Sequence, residues 1–103
     1  MWHEITLAPE AIDDLNGLKA NVRAAVRDAI ERHMRHEPAL TSRSRIKRLR
    51  GLSRPQYRLR VEDVRVFYDV AEGAVEVIAI VPKSDAARWL ERMGEPDEDS
   101  SPE

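Results

Sequence analysis

Apolar and polar positions along the chain follow two periods, and the switches between them mark out the elements. Trp2 to Leu7 alternates, with His3, Ile5 and Leu7 set against Glu4 and Thr6, and reads as a first strand. Pro9 suits the first turn of a helix, and Ala8, Ala11, Ile12 and Leu15 recur at helical spacing until Asn16-Gly17 stops the run. Leu18, Val22, Ala25, Val26, Ala29, Ile30 and then His33 or Met34 form one stripe, while Lys19, Arg23, Arg27, Asp28 and Arg32 lie off it. This pattern predicts a long amphipathic helix ending before Pro38. With only Asn16-Gly17 between them, the two helices are expected to form an antiparallel hairpin.

After a loop-like stretch over residues 38–45, Ile46 to Leu49 reads as a short strand before Gly51. Tyr57, Leu59 and Val61 then alternate with Gln56, Arg58 and Arg60, and Val64, Val66, Tyr68 and Val70 with Arg65, Phe67 and Asp69. Ala74 to Val81 is nearly continuous apolar sequence broken only by Glu76, which predicts a more buried, central strand. Glu62-Asp63 and Ala71-Glu72-Gly73 are short enough to make these three strands an antiparallel meander. Ser84-Asp85 offers a cap for a last helix carrying Ala86, Trp89, Leu90 and Met93 on one face, stopped by Gly94 and Pro96. The order βααβ(ββ)βα predicts an α+β domain: an antiparallel or mixed sheet of four to five strands, an N-terminal helical hairpin on one face, and a C-terminal helix.

The short first turn also sets a register. If two residues connect the strands, Val61 pairs with Val64, Arg60 with Arg65, Leu59 with Val66, Arg58 with Phe67 and Tyr57 with Tyr68. The tyrosines then lie on the core face, while Arg58, Arg60 and Arg65 share the other. Like charges directly across a strand pair destabilise it by ~0.2–1 kcal/mol. Repulsion alone therefore predicts that Arg65→Ala stabilises the protein by a few tenths of a kcal/mol.

Charge sharpens the picture. The 103 residues carry 17 basic and 19 acidic side chains, but five of the acids and no base fall in residues 95–103. With its two prolines and no hydrophobic residue, that segment is expected to be a disordered acidic tail on a single domain of residues 1–94. Residues 1–94 then have a net charge of +3, and no acid lies between Glu37 and Glu62 while eight bases fall between Arg43 and Arg60. The absence of cysteine excludes disulfides and thiolate metal sites. The longest apolar run, Val77 to Pro82, is far short of the ~20 residues of a membrane span. No basic-then-apolar leader opens the chain, so a cytoplasmic protein without membrane association is expected.

A basic face without interleaved acids has two readings. One is solvated charge, with the arginines spread apart and paired to Glu62, Asp63 or Asp69, and composition alone favours it. The other is an anion site, because the planar guanidinium fork matches phosphate. The missing acids and the convergence of three arginines narrow the gap. His33 and His36 have a spacing that suits a metal, but no third ligand is evident, and a helix C-terminus favours histidine through its dipole. No metal site or cofactor is expected. His3 and the two tyrosines read as structural, and no phosphate loop or nucleophile elbow is present.

With these elements in place the chain resembles the RelE/ParE toxin family of type II toxin–antitoxin systems. Ile46–Leu52 (IKRLRGL) is similar to the family's K-x-L-x-G segment. Tyr57–Val61, Asp63–Val70 and Val75–Val81 resemble its three consecutive C-terminal strands, and the resemblance extends in element order over residues 2–93. It implies a toxin, and in RelE-type members a ribosome-dependent nuclease that cleaves mRNA by 2′-hydroxyl attack on the adjacent phosphate. On that model Arg58 and Arg60 match the basic residues of the third strand and Arg65 the arginine of the fourth. Arg60 and Arg65 would stabilise charge on phosphorus and Arg58 would orient the backbone.

Lys83 keeps a cation after the last strand, while Ser84 stands where the family often has an arginine, and Trp89-Leu90 where it often has a tyrosine. Trp89 is expected to pack on the sheet near Phe67. Arg45, Lys47, Arg48, Arg50 and Arg54 are expected to contact RNA phosphates. The resemblance implies a cognate antitoxin, the ribosome and mRNA as partners. Its alternatives are a ParE-like gyrase inhibitor without catalysis, or a member that mainly binds its antitoxin.

Overall fold

A computed structural model describes residues 1–97. Strand β1 (Glu4–Leu7) leads into helices α1 (Pro9–Asn16) and α2 (Ala20–Met34). Strands β2 (Ile46–Arg48), β3 (Leu52–Arg54), β4 (Tyr57–Val61), β5 (Val64–Ala71) and β6 (Ala74–Pro82) follow, then helix α3 (Lys83–Met93) and strand β7 (Glu95–Pro96). Five strands form one mixed sheet in the order β1-β6-β5-β4-β2, with β1 parallel to β6 and the other pairs antiparallel. Among the described residues no helix is long and apolar enough to cross a membrane.

The β4–β5 register is the one the two-residue turn requires, from Val61 opposite Val64 to Tyr57 opposite Tyr68. The turn puts Glu62 in the left-handed region at φ 52°. The next turn is one residue shorter than expected: Ala71 pairs with Ala74, and Gly73 takes the positive φ of 71° that only glycine adopts without strain. Leu59, Val66, Tyr68, Val75, Val77 and Ile80 bury one sheet face against Ala11, Leu15, Val26, Ile30 and Met34 of the helical hairpin. The Tyr57 and Tyr68 rings stack 5.5 Å apart, and the Tyr68 hydroxyl donates to the Pro38 carbonyl oxygen at 2.7 Å.

A second, smaller core lies on the opposite face. Phe67, Ile78, Ala79 and Val81 are buried there under Ala86, Trp89 and Leu90 of α3. The β5–β6 register shifts between Phe67 and Tyr68, so that Ile78 is an extra residue in β6. This bulge turns both Ile78 and Ala79 to the α3 side, which is why the strand reads as unbroken apolar sequence. The Ile80 N–H donates to Asp14 Oδ2 of α1 at 2.9 Å.

Three expectations need correction. Helix α3 begins at Lys83 and has no side-chain cap, so Ser84 and Asp85 lie inside its first turn, where the Asp85 charge suits the helix dipole. The helical hairpin is joined through residues 17–19 rather than by Asn16-Gly17. The tail does not leave the fold at Glu95, because β7 pairs with β3, with Leu52 opposite Pro96 and Arg54 opposite Glu95. Main-chain pairing and a Glu95 carboxylate 3.7 Å from Arg54 Nε hold a segment that composition alone marks as unstructured. The rest of the expected tail, residues 98–103, lies outside the described residues.

Candidate nucleic-acid interface

Sheet register assembles the basic face row by row. Lys47 of β2 stands opposite Arg58 of β4, which stands opposite Phe67 of β5. In the next row Arg60 stands opposite Arg65, which pairs with Val81, and the Arg60 N–H donates to the Arg45 carbonyl oxygen at 2.8 Å. Helix α3 lies over the Phe67 end, where the Trp89 ring stacks on Phe67 at 5.0 Å and 5°. Between this helix and the strands runs an open groove of ≈ 490 Å³. Its cations are Lys47, Arg48, Arg50, Arg58 and Arg65, and its apolar wall is Leu49, Phe67, Ala86, Ala87 and Leu90.

The groove concentrates positive charge against apolar surface. Burial first, then the neighbouring Arg65 and Arg60, pushes the Arg58 pKa below the usual arginine value. Arg65 is pushed down as well, by burial and then by Arg60, with Asp63 opposing. Both remain cations, since arginine does not deprotonate in proteins. The Arg58 Nε–H is buried without a hydrogen-bond partner among the described residues. An unpartnered buried donor costs about 1–3 kcal/mol, and more when it is charged. Among the described residues the lining holds no carboxylate, histidine or tyrosine. Chemically it can hold an anion and stabilise charge that grows on it, and Lys47 is its one amine.

The sequence-picked residues divide by location. Arg58, Arg65, Lys47, Arg48 and Arg50 meet in the groove. Arg65 is largely occupied with the hairpin: Nη1 donates to the carbonyl oxygens of Glu62 at 2.9 Å and Val64 at 3.0 Å. Arg48 Nη1 donates to the carbonyls of Leu49 and Gln56 at 2.9 and 2.8 Å, with its guanidinium 5.4 Å from the Tyr57 ring centroid. Arg60 and Arg45 line a smaller depression of ≈ 290 Å³, with Ser44 and Glu62. Lys83 is exposed at the start of α3, outside the groove lining, and its N–H donates to the Asp63 carbonyl oxygen at 2.7 Å.

Arg54 is elsewhere. Its Nη1 lies 3.1 Å from Asp69 and 2.9 Å from Glu76, with Glu95 further out. Three carboxylates neutralise it, so it is an anchor of the β3–β7 corner rather than part of the groove. His33 and His36 line a depression near the α2 C-terminus, and no group of three metal-ligating side chains occurs among the described residues.

Sequence reasoning passed over the apolar wall. Phe67 was its available signal, because it is the one aromatic on the polar phase of β5, between Arg65 and Asp69. Leu49, Ala86 and Leu90 give no such cue, since a strand end and a surface helix commonly carry them.

A family model described as the ParE toxin of the type II toxin–antitoxin system parDE matches residues 5–87. No curated protein sequence matches the chain significantly. Among solved structures, a mutant of the E. coli toxin RelE in the free state is similar at TM-score 0.68 and 18% identity, over 90% of this chain and 99% of that one. A chain of the RelB–RelE antitoxin–toxin complex from Methanococcus jannaschii is similar at TM-score 0.64 and 18% identity, over 82% of this chain and 96% of that one. A chain of the RelBE2 toxin–antitoxin complex from Mycobacterium tuberculosis is similar at TM-score 0.63 and 19% identity, over 80% and 99%. These likenesses bear on the fold.

Proposed function

The chain belongs to the ParE toxin family of type II toxin–antitoxin systems, and from that premise we propose that its arginine groove holds a phosphate of messenger RNA for cleavage in the ribosome. One observation carries this reading: Arg58 and Arg65 converge with Lys47, Arg48 and Arg50 on one open groove whose lining, among the described residues, contains no acid to neutralise them. A polar face selected only for solubility would intersperse the two signs.

In the proposed reaction the 2′-oxygen attacks the adjacent phosphorus and the bond to the 5′-oxygen breaks. A 2′,3′-cyclic phosphate is left upstream and a 5′-hydroxyl downstream. The 2′-hydroxyl loses a proton and the leaving oxygen gains one. The groove's part is electrostatic: Arg58 and Arg65 face the charge that develops on the phosphoryl oxygens. Lys47 in the lining and Lys83, two positions beyond the β6 partner of Arg65, are the amines available to exchange protons.

The same reading assigns the chain a cognate antitoxin, since relatives from M. jannaschii and M. tuberculosis are solved as antitoxin–toxin complexes. It also assigns the cytoplasm as its place of action, where ribosomes and mRNA are found. A second reading, inhibition of DNA gyrase without catalysis, is favoured by one feature: among the described residues the lining offers no carboxylate, imidazole or phenol for proton transfer.

Induced expression separates the two. On the nuclease reading amino-acid incorporation falls first, a DNA-damage reporter stays at baseline, and mRNA in purified translation reactions acquires 2′,3′-cyclic phosphate ends. Activation of the damage reporter with intact mRNA would transfer the conclusion to gyrase.

A further inference from the structure

The groove leaves unused a depression of ≈ 360 Å³ between the end of α2 and the segment that leads into β2. Arg32, His36, Glu37, Leu40 and Arg45 are among its lining, and its volume is within the ~300–1,000 Å³ of small-molecule sites. It is not isolated from the groove. Arg45 lines both this depression and the smaller one it shares with Arg60, and Arg60 stands opposite Arg65. A line of cations thus runs from the groove over Arg60 and Arg45, around the β2 edge, to Arg32.

The lining is mixed in a way that suits a base rather than a bare phosphate. Leu40 is 62% exposed and offers an apolar surface to the depression, which buried Ile46 also lines. Ser42 Oγ accepts the N–H groups of Arg45 and Ile46 at 3.0 and 3.1 Å, which leaves its hydroxyl proton to donate. The Glu37 carboxylate repels phosphate but accepts from an exocyclic amine. His33 forms one wall, with Nε2 buried and without a hydrogen-bond partner among the described residues; burial, then Arg45 and Arg32, pushes its pKa below the usual histidine value. Its ring therefore supplies surface more than charge. Arg32 is paired with Asp28 at 2.9 Å, but both side chains are well exposed, so the pair yields readily to a competing anion.

We propose that this depression is a second RNA subsite, which takes one unstacked base of a single strand against Leu40 and His36 while Arg32 and Arg45 hold the phosphates on either side of it. It rests on the RNA reading of the groove and extends it: the strand whose phosphate occupies the groove continues around the β2 edge. Proteins read single-stranded RNA by splaying bases onto such surfaces between cations.

The test is fluorescence anisotropy of a labelled, unstructured RNA hexanucleotide with the full chain, over a range of salt concentrations. Four variants are compared: Arg32→Ala/Arg45→Ala, Leu40→Ala, the groove variant Arg58→Ala, and Arg27→Ala/Arg92→Ala, which removes the same charge at exposed sites away from the depression. The subsite predicts at least ~10-fold weaker binding for Arg32→Ala/Arg45→Ala. The log–log salt slope should fall by about 1.4, at ~0.7 per phosphate contact of a single strand. Leu40→Ala should weaken binding about 5-fold with the slope unchanged, since a stacked base contributes ~1–3 kcal/mol. The distal double variant should stay within about 2-fold.

Equal losses in the two double variants would show non-specific attraction and overturn the subsite. Loss in Arg58→Ala with none in Arg32→Ala/Arg45→Ala would overturn it while sparing the groove. Failure of the wild-type chain to bind the RNA would overturn both. All mutated residues but Arg58 are exposed, and a melting curve on each variant separates lost binding from lost fold.

Discussion

Removing Arg65 tests whether this arginine belongs to the hairpin or to the groove alone. Mutual repulsion with Arg60 predicts a more stable protein after Arg65→Ala, but the structure gives Arg65 a second role. Its side chain is buried, with 7% of the residue exposed, and Nη1 bridges the carbonyls of Glu62 and Val64 across a turn that holds Glu62 at φ 52°. Two such bonds contribute a net ~0.5–1.5 kcal/mol each, or roughly 1–3 kcal/mol together. Relief of repulsion returns only ~0.2–1 kcal/mol.

The bonds therefore win, and Arg65→Ala is expected to destabilise by about 1–2 kcal/mol. For a domain of this size that lowers the Tm by roughly 5–15 °C, at ~4–8 °C per kcal/mol. Thermal melts followed by circular dichroism give the shift, and urea midpoints check it. Arg60→Ala should leave the Tm unchanged or slightly higher. The double variant should be less stable than the sum of the singles predicts by a few tenths of a kcal/mol, because either single substitution already relieves the whole repulsion, the signature of a repulsive pair. Arg65→Lys keeps the charge but loses the fork, and should lie between wild type and Arg65→Ala. An Arg65→Ala protein melting at or above the wild-type temperature would refute the turn-clamp argument and restore the simple repulsion picture. Toxicity assayed well below the lowered Tm then reports on the groove separately from the fold.

Three further outcomes follow from the packing. Trp89→Ala removes the stack on Phe67 that docks α3, a helix with no buried residue of its own, and should cost ~2–3 kcal/mol; hydrogen exchange should show α3 losing protection while α2 and β5 keep theirs. Tyr68→Phe strands the buried Pro38 carbonyl contact and should cost ~1–3 kcal/mol, and because burial and then Tyr57 push the Tyr68 hydroxyl up, alkaline titration should ionise it only as the fold is lost. Arg54→Ala should leave growth arrest intact yet lower stability by ~1 kcal/mol, a figure reduced for the partial exposure of the cluster. In that variant burial, already the main cause raising the Asp69 pKa, goes unopposed by Arg54. A carboxyl with a raised folded pKa loses stability as pH climbs through that pKa, so the gap to wild type should open with rising pH and close in acid; a gap that widens in acid would contradict it.

The meander was legible because a strict period of two between short turns leaves one register, and register places every side chain on a face. The parallel docking of β1 on β6 was not, because alternation marks a strand without naming its partner, nor was the small β3–β7 sheet, which rests on main-chain pairing of two residues without a period of its own. The Ile78 bulge was hidden for a different reason. Where both faces of a strand are apolar, an inserted residue leaves no break in the pattern.

The same distinction explains which cations the sequence could identify. Between Arg43 and Arg60 the chain is all base and no acid, so nothing local tells one arginine from another. Register raises Arg58 onto the open face beside Lys47 and Arg65, where burial leaves its Nε–H without a partner. Arg54, from the same run, meets carboxylates 15 and 22 residues later in the chain and is neutralised. Which guanidinium stays available to an anion is thus decided by long-range pairing rather than by composition. Two acids of the same strands, Asp69 and Glu76, are held at the opposite end of β5 and β6, where they pair with Arg54. Segregating the two signs along the same pair of strands is what leaves a concentrated positive groove on a chain whose formal net charge is −2.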